Sequence, residues 1–158
     1  MKKTPWKATL FWIACTEAVG FAAGFLTRQG AQIYNDAVAK PTLSPPPIVF
    51  PIVWGILYAL MGVSAARVYL KSENPWKSAG IRLYLAQLLF NFCWCFLFFN
   101  FRAFALAFVW LLALLALVLL MNAAFRKTDK LAAALQIPYI LWLIFAAYLN
   151  LSVWMLNR

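Results

Sequence analysis

Five apolar runs, each about twenty residues long and separated by short polar segments, constrain this chain more than any other feature. They cover residues 8–26, 48–70, 81–100, 103–125 and 131–156. A hydrocarbon core about 30 Å thick needs about 20 apolar residues at 1.5 Å rise each, so every run is long enough to cross a bilayer as a helix. Composition excludes the soluble alternative. Of 158 residues, 66% are hydrophobic and 11% charged, too few polar groups to cover a core in water. The expected fold is therefore an all-α membrane protein, with five transmembrane helices in one bundle and one domain over 1–158. The first run is too long for a signal peptide, carries Glu17 near its middle and lacks a clear small-residue cleavage site. Between the first two runs lies a polar stretch, 27–47, ending Pro41-Thr42-Leu43-Ser44-Pro45-Pro46-Pro47. Consecutive prolines remove amide donors and block helix, so this stretch reads as an ordered interfacial loop. Pro138, one or two turns into the fifth run, predicts a mild kink.

The formal charge of +10 has a membrane explanation. Five spans put Lys2, Lys3, Lys7, Arg67, Lys71, Lys77, Arg82, Arg126, Lys127 and Lys130 on one side, against Arg28, Lys40, Arg102 and Arg158 on the other. The positive-inside rule then predicts a cytoplasmic N-terminus and an outward first loop. Nucleic-acid binding is not expected, because it needs a clustered basic face and the charges here sit at span ends. The chain has no histidine, which removes the commonest acid–base group and metal ligand. Cys15, Cys93 and Cys95 lie inside apolar runs, and the last two point about 200° apart on a helix. Neither a disulfide framework nor a metal site follows, and no residue set forms a positioned acid–base pair or nucleophile.

The polar residues inside spans are few. Glu17 is a functional candidate because a membrane carboxylate is costly. The plainer reading is a protonated side chain hydrogen-bonded to Gln87 or Asn91. A proton-coupled exporter of hydrophobic cations using Glu17 is a competing function, and a purely structural subunit of a larger complex is a third. Gln87, Asn91, Trp94 and Phe98 share one face of the third run. Trp54, Tyr58 and Met61 form a similar stripe, as do Trp142, Ala146 and Leu149 with Asn150. Three aromatic faces with amides beside them could enclose a flat apolar ligand, although such stripes are more often packing or interfacial belts.

The blocks Lys40-Pro41, Ser44-Pro45-Pro46 and Phe50-Pro51-Ile52-Val53-Trp54-Gly55-Ile56-Leu57-Tyr58 resemble the loop-to-second-helix motif of the TspO/translocator protein family, also called the tryptophan-rich sensory or peripheral benzodiazepine receptor family. Gln87-Leu88, Asn91, Trp94 and Phe98-Phe99 follow in the family's order. So do Pro138-Tyr139, Trp142, Phe145-Ala146, Leu149-Asn150, Trp154 and Asn157. The resemblance implies a five-helix bundle, usually a homodimer, that binds porphyrins such as protoporphyrin IX and hydrophobic drug-like ligands. The function it implies is a tetrapyrrole sensor, scavenger or carrier with no required cofactor. Its pocket would lie beneath the first loop, at Tyr34, Pro46, Trp54, Tyr58, Asn91, Trp94, Trp142, Ala146 and Leu149. Bacterial members are associated with light-dependent porphyrin breakdown involving tryptophans, which here would be Trp54 and Trp142.

Four positions depart from the family. Leu43 stands where an aromatic is common in the lid. Leu151 and Met155 replace the tyrosine and arginine of the cholesterol motif of animal members. Glu17 is not a family feature. Finally, Gly20 and Gly24 are four apart on the first span, a spacing that lets helix backbones approach closely. They could make a homodimer contact or pack inside the chain.

Overall fold

A computed structural model describes residues 5–158; Lys2 and Lys3, counted above for orientation, lie outside the described residues. The order is α1 (Pro5–Leu26), α2 (Arg28–Ala37), α3 (Val49–Lys71), a 3-10 turn (Pro75–Lys77), α4 (Ala79–Cys95) continued by a π turn (Phe96–Asn100), α5 (Phe104–Thr128), α6 (Lys130–Ala134) and α7 (Ile137–Leu156). Among the described residues, five segments are long and apolar enough to cross a membrane: Pro5–Leu26, Val49–Lys71, Ala79–Asn100, Phe104–Thr128 and Lys130–Leu156. They match the five apolar runs, and the protein is an all-α membrane bundle.

Helix α1 packs chiefly on α3, α4 on α5, and α5 on α7. The α1–α3 crossing is close because position 62 is glycine. A Cβ there would lie 2.6 Å from the Ile13 Cα and 2.8 Å from its nitrogen. Buried polar side chains stitch the helices further. Ser64 donates to the Ala132 carbonyl at 2.7 Å, Trp110 to the Phe90 carbonyl at 2.8 Å, and Thr16 is hydrogen-bonded to Tyr84. Each satisfies a group that lipid could not.

Two segments correct the sequence reading. The stretch 27–47 is not loop throughout, because Arg28–Ala37 forms α2. Its Gly30 and Tyr34, one turn apart, are the buried side of an otherwise polar helix. The fifth span is not mildly kinked but broken at Leu135–Gln136 into α6 and α7. Asp129 starts α6 by accepting from the amides of Leu131 (2.8 Å) and Ala132 (3.2 Å), the usual N-cap pattern. Pro138 falls in the first turn of α7, where a missing amide costs nothing. The short α4–α5 connection turns at Arg102, whose φ of 51° is left-handed. All three cysteines are free thiols, with Cys15 exposed and Cys93 and Cys95 partly buried.

The ends of the bundle are chemically distinct. Asp129 binds Arg67 and Lys71, each at 2.9 Å, which ties the end of α3 to the α5–α6 turn. Trp12 and Trp76 rings meet there at 6.3 Å. At the other end Asn157 clamps Ala39, accepting from its amide at 3.0 Å and donating to its carbonyl at 2.9 Å. The loop after α2 is thereby fixed to the end of α7.

Candidate ligand cavity

The loop-side halves of α1, α3 and α7 diverge around the α4 π turn, and α2 closes over them. A cavity of about 630 Å3 remains between these elements, within the size range of small-molecule sites. Its walls are mostly aromatic. On α3, Trp54 and Tyr58 are four apart and stack at 5.4 Å with 29° between planes. Trp142 on α7 stands edge-on to Phe50 at 6.0 Å. A π turn inserts an extra residue into the helical repeat. Here it leaves Trp94 and Phe98 stacked at 5.0 Å, with Tyr34 from α2 against Phe98 at 5.2 Å.

Hydrogen bonds behind the wall hold these rings. The Tyr58 hydroxyl donates to Asn91 Oδ1 (2.8 Å), Asn91 Nδ2 donates to the Tyr139 hydroxyl (2.9 Å), and that hydroxyl donates to Gln87 Oε1 (2.8 Å). The indole of Trp94 donates to Asn150 Oδ1 at 3.2 Å, and Asn150 Nδ2 to the Phe104 carbonyl at 2.8 Å. The indole nitrogens of Trp54 and Trp142 make no hydrogen bond among the described residues, so these two rings are held by packing alone.

Of the nine sequence-derived positions, Tyr34, Trp54, Tyr58, Trp94, Trp142, Ala146 and Leu149 line this cavity. Asn91 does not. It is 1% exposed and reaches the cavity only through Tyr58. Pro46 lines an adjoining recess of about 330 Å3 beneath the proline-rich turn, which shares Tyr34, Asn35, Pro47 and Phe50 with the cavity. The sequence reading missed the α1 wall. Glu17, Phe21 and Gly24 border the cavity at three- and four-residue steps along one face of α1, and Arg28 continues that wall at the start of α2.

That wall revises two expectations. Gly20 packs inside the chain, since a Cβ there would lie 2.2 Å from the Tyr58 ring, and Gly24 meets nothing within 4 Å. Gly20 thus packs within the chain, while Gly24 borders open space. Glu17 is not bonded to Gln87 or Asn91, whose hydrogen bonds go to Tyr58 and Tyr139. It lies half-buried at the cavity edge, with no hydrogen bond or ion pair among the described residues. No group of three or more His, Cys, Asp or Glu able to hold a metal occurs among those residues.

The same elements recur in known proteins. Residues 12–155 match the model of the TspO/MBR family. The chain belongs to that family. It is 35% identical to the tryptophan-rich protein TspO of Chlorobaculum tepidum, over 89% of each chain. It is 34% identical to protein CrtK of Rhodobacter capsulatus, over 94% of this chain and 91% of that one. With the human translocator protein it shares 31% identity over 98% of its own length and 92% of the relative's. The family match covers α3, α4 and nearly all of α7, which carry most of the cavity's aromatic wall, and about two thirds of α1.

Proposed function

We propose that the cavity binds a tetrapyrrole, with protoporphyrin IX as the reference ligand, and that the protein serves as a tetrapyrrole sensor, scavenger or carrier in the membrane. The observation that carries this reading is the chemistry of the walls. Stacked pairs on α3 and α4 and the Trp142 ring of α7 present broad apolar faces, while Arg28 and Asn35 sit at the loop end. Flat rings would lie against Trp54, Trp94 and Trp142, and the propionates would meet Arg28 and the polar underside of α2. With no histidine in the chain, binding would not use an imidazole axial ligand, and a metal-free ring suits the wall. The charge distribution supports a cytoplasmic N-terminus with α2 on the outer side. A homodimer is expected from the family resemblance.

The test is titration of purified protein with protoporphyrin IX, followed by tryptophan quenching. Trp54→Ala or Trp142→Ala removes a large contact face. At about 25 cal/mol per Å2 the loss is about 2–3 kcal/mol, or roughly 30- to 150-fold in affinity. Ala146→Thr should weaken binding by filling space. Parent-like affinity in all three variants would place the ligand elsewhere. Illuminating the same complexes tests porphyrin breakdown, which should slow when Trp54 or Trp142 becomes phenylalanine.

A further inference from the structure

Among the described residues, Glu17 is the only carboxylate that borders the cavity. It sits near the middle of α1, one turn before Gly20, which packs on the Tyr58 ring. No side chain or backbone group among the described residues answers it. The other charged residue of the wall among the described residues, Arg28, opens α2 at the loop end. Its guanidinium lies over the Phe25 ring at 4.1 Å. The cavity is thus polarised along its length, with a cationic loop end and an acidic inner end.

An unanswered carboxylate beside aromatic faces has a definite chemical complement. A carboxylate attracts a cation strongly where water is scarce, and the negative faces of Trp and Tyr rings favour the same charge. Trp54, Tyr58 and Phe98 supply such faces in the same cavity. Neutral flat ligands gain from the rings but not from the carboxylate, whereas an ammonium on an aromatic body gains from both.

We propose that Glu17 makes the inner end of the cavity a cation subsite, selecting aromatic amines over neutral molecules of the same shape. The subsite belongs to the cavity and does not depend on a porphyrin being the natural ligand. No movement of the ligand across the membrane is implied. A charge-assisted contact of this kind is roughly twice as strong as a neutral one, so the expected preference is about tenfold or more in Kd.

The experiment uses the full chain in zwitterionic nanodiscs, titrated with 1-pyrenemethylamine and with 1-pyrenemethanol, which share one ring system. Binding is read by tryptophan quenching, with protein-free nanodiscs subtracted. The parent should bind the amine at least about tenfold more tightly than the alcohol. Glu17→Gln and Glu17→Ser, two ways of removing the charge, should bring the amine's affinity down to that of the alcohol. Because every variant sits in the same lipid, partitioning of the amine into the bilayer cancels in the comparison. A parent ratio near one overturns the proposal, as does a preference that persists in either variant or a failure of both pyrenes to bind. Protoporphyrin IX titrated against the parent in the same nanodiscs separates the two readings. Its failure with the amine preference intact removes the tetrapyrrole and leaves the subsite, and the reverse result does the opposite.

Discussion

The two ends of this bundle are built from the same helices and obey opposite packing rules. At the end holding Trp12, Gly62 and Asp129, α1 and α3 backbones touch, Asp129 caps α6 and it pairs with Arg67 and Lys71. At the loop end, Gly24 and Gly55 would meet nothing within 4 Å if a Cβ were added, and the space is walled by rings instead of filled. The contrast is sharpest within α3. Gly62 and Gly55 are seven residues apart on one helix, two turns by geometry, yet one is jammed against α1 and the other borders empty space. Small residues in membrane helices therefore serve two purposes here, close approach and ligand room.

This comparison can be broken by exchanging the two glycines' fates. Gly62→Leu must push α1 backbone aside, because the obstructing atoms belong to Ile13 and the Trp12 carbonyl and not to a flexible side-chain tip. A loss of about 2–4 kcal/mol is expected, seen as a large fall in thermal midpoint in detergent. Gly55→Leu should leave that midpoint nearly unchanged while lowering protoporphyrin affinity about tenfold by occupying the cavity. If both variants lose stability equally, the cavity is not an open space in the membrane-embedded protein.

A smaller effect belongs to the paired end. Burial pushes the Asp129 carboxyl up, but the Lys71 ammonium, the amides of Ala132 and Leu131 and the Arg67 guanidinium outweigh it and hold it at about 2. A folded value below the unfolded one means stability that is present above about pH 4 and is lost as pH falls toward 2. Asp129→Ala removes the α6 cap and two ion pairs. Lys71 and Arg67 are 53% and 35% exposed, so solvent screens most of the ion-pair gain and the cap dominates. The expected loss is about 1–2 kcal/mol, and the variant should no longer lose stability between pH 4 and 2. An unchanged acid slope in the variant would assign that slope to another carboxylate.

How far each end was legible in the sequence follows from the same contrast. The spans were legible because twenty apolar residues in a row have few other uses. So was the ring wall of α3, α4 and α7, since aromatics repeated at helical steps beside Asn91 and Asn150. Helix α2 was hidden because its polar residues and flanking prolines read as loop; Gly30 and Tyr34, one turn apart, were its faint signal. The break before α7 was likewise signalled by Asp129 as a cap and Pro138 at a first turn, but a continuous apolar run conceals a break. The α1 wall was hidden for a different reason. In a membrane helix, apolar residues facing lipid and apolar residues facing a cavity look alike, so Phe21 and Phe25 carry no mark of which they face. Only the charged residues Glu17 and Arg28 distinguished that stripe, and neither alone defines a cavity.

The smallest expected effect concerns the clamp that closes the open end. Asn157 lies in the residues after α7 and exchanges two hydrogen bonds with the backbone of Ala39, while its Nδ2 also reaches the Val153 carbonyl at 2.7 Å. Lys40 adds a local tie, donating to the Asn35 carbonyl at 2.7 Å. Both clamp residues are accessible to water, so removing the amide costs little stability: the freed Ala39 groups can bind solvent, and the net value of such a bond is about 1 kcal/mol or less. The consequence falls on motion instead. Ala39 joins α2 to the proline-rich turn that roofs the recess, and freeing it lets the roof separate from α7 more often. Asn157→Ala should therefore leave the thermal midpoint within about 2 °C of the parent, a shift matching well under 1 kcal/mol at this length. In stopped-flow quenching it should speed protoporphyrin release several-fold, with a smaller change in the association rate. Equal release rates in the two proteins would mean that the ligand leaves by another route, between helices and not past the roof.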